Sequence, residues 1–175
     1  MIWKVVQQIA KVGICTEAAP DIGDVSGLEP SHIQAEMLSI LGDALCIREV
    51  DAGSCNGCEM EISALGNPYY NIEGLGIKFV ASPRHADMLL VTGPVSRNME
   101  MALKRTFDAT PEPKLVVAVG DCACTGGIFG ESYATCGRVD KVIPVDVTVP
   151  GCPPEPIDIL RGILQAVRRR VVQRS

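Results

Sequence analysis

No stretch of this sequence approaches the ~18–20 consecutive apolar residues of a membrane span, although 47% of its residues are hydrophobic. An integral membrane protein is therefore not expected. Positive charge is also scarce. Sixteen Lys and Arg stand against 21 Asp and Glu, for a net charge of −5. That balance argues against nucleic acid as the main partner, because phosphate binding needs a basic face. Histidine is sparse, with two in 175 residues, and neither lies near the cysteine motifs. No signal peptide is expected, since Lys4, Gln7, Gln8 and Lys11 interrupt the apolar stretch from Met1 to Val12. No twin-arginine leader, internal repeat or low-complexity segment is visible.

What is present is cysteine: eight residues in a chain of single-domain length. A globule of this size buries roughly 70% of its unfolded surface, so its core needs no disulfide staples. Cytosolic thiols, some of them bound to metal, are the better expectation. Charge is unevenly spread. Glu17 to Glu61 holds ten acids and one base, Arg48, whereas the tail from Arg161 holds five Arg and no acid. Both read as solvated or subunit-facing surface.

Residues 2–13 carry apolar side chains at 2, 5, 6, 9 and 12, which is helical spacing. Trp3 and the lysines suit a membrane interface or a hydrophobic partner; an ordinary amphipathic helix on its own domain has the same pattern. Residues 16–30 form an acidic linker with Pro and Gly. These two pieces make an N-terminal segment, 1–30, ahead of a domain spanning 31–175. Within that domain, 31–44 reads as a helix with Ser31 as N-cap. Strand-like runs follow at 45–50, 77–82, 86–93, 114–120 and 142–149, several of them near-continuously apolar, as parallel strands buried on both faces require. Helix candidates lie between them at 57–65, 95–108 and 155–169, with Met99, Leu103 and Phe107 as core positions. Alternating strand and helix predicts an α/β fold with a parallel sheet.

In open parallel sheets, ligands bind beyond the carboxyl ends of the strands. Cys55 and Cys58, in "SCNGCE", follow the first predicted strand. Cys122, in "VGDCACTGG", follows the fourth, and Cys152, in "VPGCPPEP", follows the fifth. Three loops thus bring cysteine to one edge. Cys15, Cys46 and Cys136 do not fit this pattern, and Cys124 reads as a neighbouring or core thiol. Pro154 suits an early helical position with Glu155 and Asp158 in the first turn, which places Cys152 at a helix's positive end. Gly57 suits a tight turn. Gly126 and Gly127 would let backbone approach a bulky group and offer N–H groups to sulfide. Four cysteines without His fit an iron–sulfur cluster or tetrahedral zinc. Only one C-x-x-C is present, whereas a four-cysteine structural zinc site usually has two. A thiol–disulfide C-x-x-C is the third reading, and it leaves Cys122 and Cys152 unexplained.

Taken together, "SCNGCE", "SPRHADMLLVTGPV", "VVAVGDCACTGGIF" and "DKVIPVDVTVPGCPPEP" resemble the superfamily of the small subunits of nickel–iron hydrogenases and the cluster-bearing 20 kDa subunit of respiratory complex I. The likeness covers about residues 45–165. It implies a flavodoxin-like domain holding one 4Fe-4S cluster on Cys55, Cys58, Cys122 and Cys152. The complex I branch has its first two ligands adjacent, whereas here Asn56 and Gly57 separate them, as in hydrogenases. No Cys follows Cys152, unlike small subunits that carry further clusters in a C-terminal extension. The pattern resembles membrane-bound, energy-converting hydrogenases of the formate hydrogenlyase and CO-linked kinds.

The resemblance implies electron transfer between a ferredoxin-like subunit and a nickel–iron large subunit, on a membrane arm at the cytoplasmic face. A complex-I-like quinone- or sulfur-reducing module and a zinc-stabilised interaction module are the alternatives. Glu59 and Glu61, beside the ligands, suit a proton relay, a subunit contact or simply a helix start. Arg84 and His85 are expected at the end of the second strand, on the cysteine edge, in a structural or cluster-facing role.

Overall fold

The computed structural model describes residues 44–172. The expected amphipathic helix, the linker and the helix at 31–44 fall on residues outside this range, apart from the last of them. In chain order the elements are β1 (Leu45–Asp51), α1 (Gly57–Ala64), β2 (Ile77–Phe79), a 3-10 turn (Pro83–His85), β3 (Met88–Thr92), β4 (Val95–Ser96), α2 (Arg97–Ala109), β5 (Leu115–Val119), α3 (Asp121–Thr125), β6 (Thr135–Gly137), a second 3-10 turn (Val139–Lys141), β7 (Val147–Val149) and α4 (Pro156–Val172).

Five strands form one sheet in the order β2-β1-β3-β5-β7, and all its pairings are parallel. Counted among themselves, these strands run 2-1-3-4-5, the doubly wound flavodoxin-like order. Every residue of β3 and β5 is buried. Their side chains alternate between two cores. Met88, Leu90, Leu115, Val117 and Val119 pack with Ile62, Leu65 and the α4 residues Leu160 and Ile163. Leu89, Val91, Val116 and Ala118 pack on the opposite face with Leu103, Ala123 and Val139. Central parallel strands with helices on both faces have no polar side to show, which is why they read as unbroken apolar runs. The edge strands are shorter and partly exposed, at Lys78 and Phe79 in β2 and Thr148 in β7.

α2 begins at Ser96, whose Oγ accepts the Met99 N–H at 3.3 Å. Leu103 is its fully buried residue, and Phe107 is half-buried against the same core. Two expectations shorten. The strand expected over 142–149 begins only at Val147, because Pro144 has no N–H to donate and the Asp146 carboxylate itself accepts the Val116 N–H at 2.7 Å. The strand expected over 77–82 ends at Phe79. The antiparallel β4–β6 ribbon and the one-turn α3 were not anticipated, and Cys136 lies within β6.

Leu103 is the buried residue of α2 in the core it shares with the sheet. Leu103→Ala is expected to cost about 2–5 kcal/mol, read as a lowered urea midpoint with an unchanged slope.

Candidate metal centre

Four of the five strands, β1, β3, β5 and β7, stop together. Register pairs Asp51 with Thr92, Thr92 with Val119, and Val119 with Val149. One row of residues therefore marks the carboxyl edge, and all four expected ligands lie just past it. Cys55 and Cys58 follow β1, Cys122 is the second residue of α3 after β5, and Cys152 follows β7. The Cys58 thiol feels the charge of Cys122, Cys55 and Cys152, so the four share one neighbourhood. Gly57 sits between two of the loops, where a Cβ would lie 3.6 Å from Cys55 Sγ and 3.9 Å from Pro153 Cβ.

Local hydrogen bonds shape the first loop. Asp51 Oδ1 accepts the N–H groups of Gly53 and Ser54, each at 2.8 Å. Ser54 Oγ accepts the Asn56 N–H at 2.9 Å and donates to Glu59 Oε2 at 2.6 Å. The buried Thr92 hydroxyl donates to Glu59 Oε1. Glu59 thereby ties the Cys55–Cys58 knuckle to the end of β3. The tight turn falls on Asn56, at φ 72°, and Gly57 is already the first helical residue, so the turn role expected of Gly57 belongs to its neighbour.

A second tie joins the other loops. Asp121 N–H donates to Gly151 O at 2.8 Å, and Gly151 N–H donates back to Asp121 Oδ1 at 2.8 Å. α4 starts at Pro156, so Pro156 and not Pro154 holds the first helical position, and Cys152 stands four residues before the helix. The helix-end placement expected for Cys152 is thus loosened to a loop that leads into the helix.

Two glycines make room for sulfur. At Gly120, φ +90°, a Cβ would fall 2.5 Å from Cys58 Sγ; at Gly127, φ +55°, one would fall 2.7 Å from Cys122 Sγ. Any side chain there would occupy the cradle. The N–H groups expected to meet sulfide are engaged elsewhere. Gly126 donates to Cys122 O at 2.9 Å and Gly127 to Thr125 Oγ1 at 3.2 Å.

Burial and neighbouring charge oppose free thiolates at Cys58 and Cys122. Burial pushes the Cys58 thiol up to about 12, helped by Glu59 and the neighbouring cysteines. Burial also raises Cys122, with Cys152 and Cys55 adding to it. Positive charge supplied by bound metal would reverse this preference, since thiolate is the ligating form. Among the described residues, no three His, Cys, Asp or Glu side chains converge closely enough to hold a single metal ion. The donor set is all sulfur, and glycine clears the space beside it. Both features fit a body larger than one ion.

The remaining candidates separate. Cys124 Sγ turns inward, toward Val149 O at 3.5 Å and Ala118 O at 3.6 Å, and burial raises it to about 11. Cys136 is buried against Glu100, and Cys46 lies within β1. Glu61 is half-buried on α1. Arg84 and His85 do not reach the cysteine edge. Asp87 N–H bonds to Cys46 O, so the turn before it lies at the amino end of the sheet, below the row of Cys46. Ser54, Thr92, Gly120 and Asp121 went unread in the sequence; the "GD" ahead of Cys122 was the available signal. Glu59→Ala should strip the buried Thr92 hydroxyl of its carboxylate acceptor. The expected loss is about 1–3 kcal/mol, checked by chemical denaturation beside Glu59→Gln, which keeps an acceptor and should lose less.

Comparison with known proteins places this geometry. The family model described as NADH ubiquinone oxidoreductase, 20 kDa subunit, matches residues 55–166. A probable membrane-bound hydrogenase subunit of Pyrococcus furiosus is 46% identical over 135 residues, covering 77% of this chain and 81% of that protein. Formate hydrogenlyase subunit 7 of Escherichia coli is 44% identical over 137 residues, covering 78% of this chain and 54% of the longer relative. Among solved structures, a chain of the membrane-bound sulfane sulfur reductase, an archaeal respiratory membrane complex, superposes with a TM-score of 0.60 at 31% identity. That match covers 83% of this chain and 76% of the other. This chain belongs to the NADH ubiquinone oxidoreductase 20 kDa subunit family, as a subunit of an oxidoreductase complex.

Proposed function

We propose that this chain is the electron-transfer subunit of a membrane-bound nickel–iron hydrogenase, holding one 4Fe-4S cluster on Cys55, Cys58, Cys122 and Cys152. The observation that carries the reading is the convergence of four cysteines from three loops onto one in-register sheet edge, with Gly120 and Gly127 clearing space at the sulfurs. A cluster bound there would supply reversible one-electron storage between a ferredoxin-like subunit and the nickel–iron large subunit. The chain's own part is positional. Glu59, Ser54 and Thr92 hold the first knuckle, and the loops after β5 and β7 hold the other two ligands. Ile128, Phe129 and Tyr133, exposed at 93%, 57% and 98%, follow Cys122 in the chain and offer apolar surface to a large subunit.

A sulfur- or quinone-reducing complex is the second reading, favoured by the structural likeness to the sulfane sulfur reductase chain. The two readings share the cluster and differ in the partner's metal, so metal analysis of the large subunit separates them. Nickel beside iron supports the hydrogenase; iron confined to the electron-transfer subunits supports the other.

No helix among the described residues is long and apolar enough to cross a membrane. In this reading the subunit sits peripherally on the cytoplasmic face, with residues 1–13 as its contact to the membrane arm. Deleting 1–13 should release the complex from membranes with its iron retained; continued membrane association would count against that contact. Purified without oxygen, the complex should show the broad brown absorbance of iron–sulfur protein, with about four iron assigned to this chain. Cys152→Ala should lose that iron and Cys124→Ala should keep it. A colourless chain with one zinc would overturn the assignment.

A further inference from the structure

The β5–β7 ladder does not end where its strands end. Val119 pairs with Val149, and the bonding continues through Gly120 N–H to Val149 O and Asp121 N–H to Gly151 O, both at 2.8 Å. At that point the backbone turns into α3, and the Gly120 carbonyl accepts the Cys124 N–H at 3.0 Å instead of a bond from β7. The Gly151 N–H is satisfied instead by the Asp121 side chain, at 2.8 Å. A carboxylate oxygen thus stands in for the absent ladder carbonyl. The two residues so closed into a ring each precede a cysteine, Cys122 on one side and Cys152 on the other. Gly151 itself admits no side chain, since at φ +134° a Cβ would lie 2.6 Å from Pro154 Cα.

The same carboxylate carries charge. It acts on the Cys122 thiol in the direction of a nearby anion. Among the described residues no Lys or Arg forms an ion pair with Asp121. Negative charge close to a redox group disfavours the added electron and lowers its potential.

Resting on the cluster reading above, we propose that Asp121 is a positioning residue with two separable effects. Its acceptor oxygen fixes the Cys122 and Cys152 loops to each other, and its negative charge holds down the reduction potential of the group those loops bind. Asp121→Asn keeps an oxygen for the Gly151 N–H and removes the charge. Asp121→Ala removes both.

The test uses the full chain in its complex. For Asp121→Asn, iron content should match wild type while the midpoint potential, followed by electron paramagnetic resonance in a redox titration, moves upward. For Asp121→Ala, amide exchange in the peptide spanning Gly151 and Cys152 should accelerate at least tenfold, and iron should leave faster to a chelator. An unchanged potential in Asp121→Asn overturns the charge effect. Unchanged exchange in Asp121→Ala overturns the tie. If Asp121→Ala does not fold, Asp121→Leu, which keeps the shape of Asn without an acceptor, takes its place: accelerated exchange there supports the tie and an unchanged rate overturns it. Wild-type complex without iron–sulfur signal would overturn the cluster reading and the potential effect with it, while the exchange measurement would still decide the tie.

Discussion

The four cysteines of the proposed ligand set reach one edge of the sheet because β1, β3, β5 and β7 end in one row. Asp51, Thr92, Val119 and Val149 lie side by side across the sheet. Every parallel strand must hand the chain to a crossover at the same edge, so loops far apart in sequence open onto common ground. Everything else at the site refines that placement. Glu59 binds the first loop to β3, Asp121 binds the second to the third, and glycine keeps bulk away from Cys58 and Cys122.

The site also opposes itself when empty of cations. Burial and mutual repulsion keep Cys58 and Cys122 from ionising, and Glu59 and Asp121 add negative charge beside them. A pocket tuned for a nucleophilic or redox-switching thiol would do the reverse, with a cation or helix terminus close to one sulfur. A bound cation would favour the thiolate form of Cys58 and Cys122 that their surroundings disfavour. The crowding that disfavours thiolates as a reactive group is what suits them as a ligand set.

Much of this was legible in the sequence, for a physical reason in each case. β3 and β5 are buried on both faces and so appear as apolar runs, and the order of strands and helices fixes which loops face the ligand edge. The cysteines in those loops therefore stand out in the sequence itself. Register was not legible. β2 pairs only with the first three residues of β1, so the chain after it turns back at the lower half of the sheet. That is why the turn carrying Arg84 and His85 enters β3 at its amino end, opposite Cys46, and not at the edge expected for it. Long-range side-chain ties were equally hidden. Glu59 reaches Thr92 across 33 positions and Asp121 reaches Gly151 across 30, and no local pattern announces either. The strand expected over 142–149 is shortened to Val147–Val149, where Pro144 offers no N–H and the Asp146 side chain takes the Val116 N–H.

The spread of the four cysteines along the chain has a further meaning for biogenesis. Two of them lie in one turn, but the last arrives only with the loop after β7, close to the end of the described chain. A zinc knuckle can gather its metal from a nearly unfolded strand and use it to fold. This arrangement cannot, because its fourth ligand has no address until β7 has paired with β5. Closure of non-local contacts is the slow, entropically costly step of such folds. If the proposed cluster is what these cysteines hold, its loading is a late event in the life of the polypeptide, and a filled centre certifies that the whole sheet, to its last strand, has been assembled.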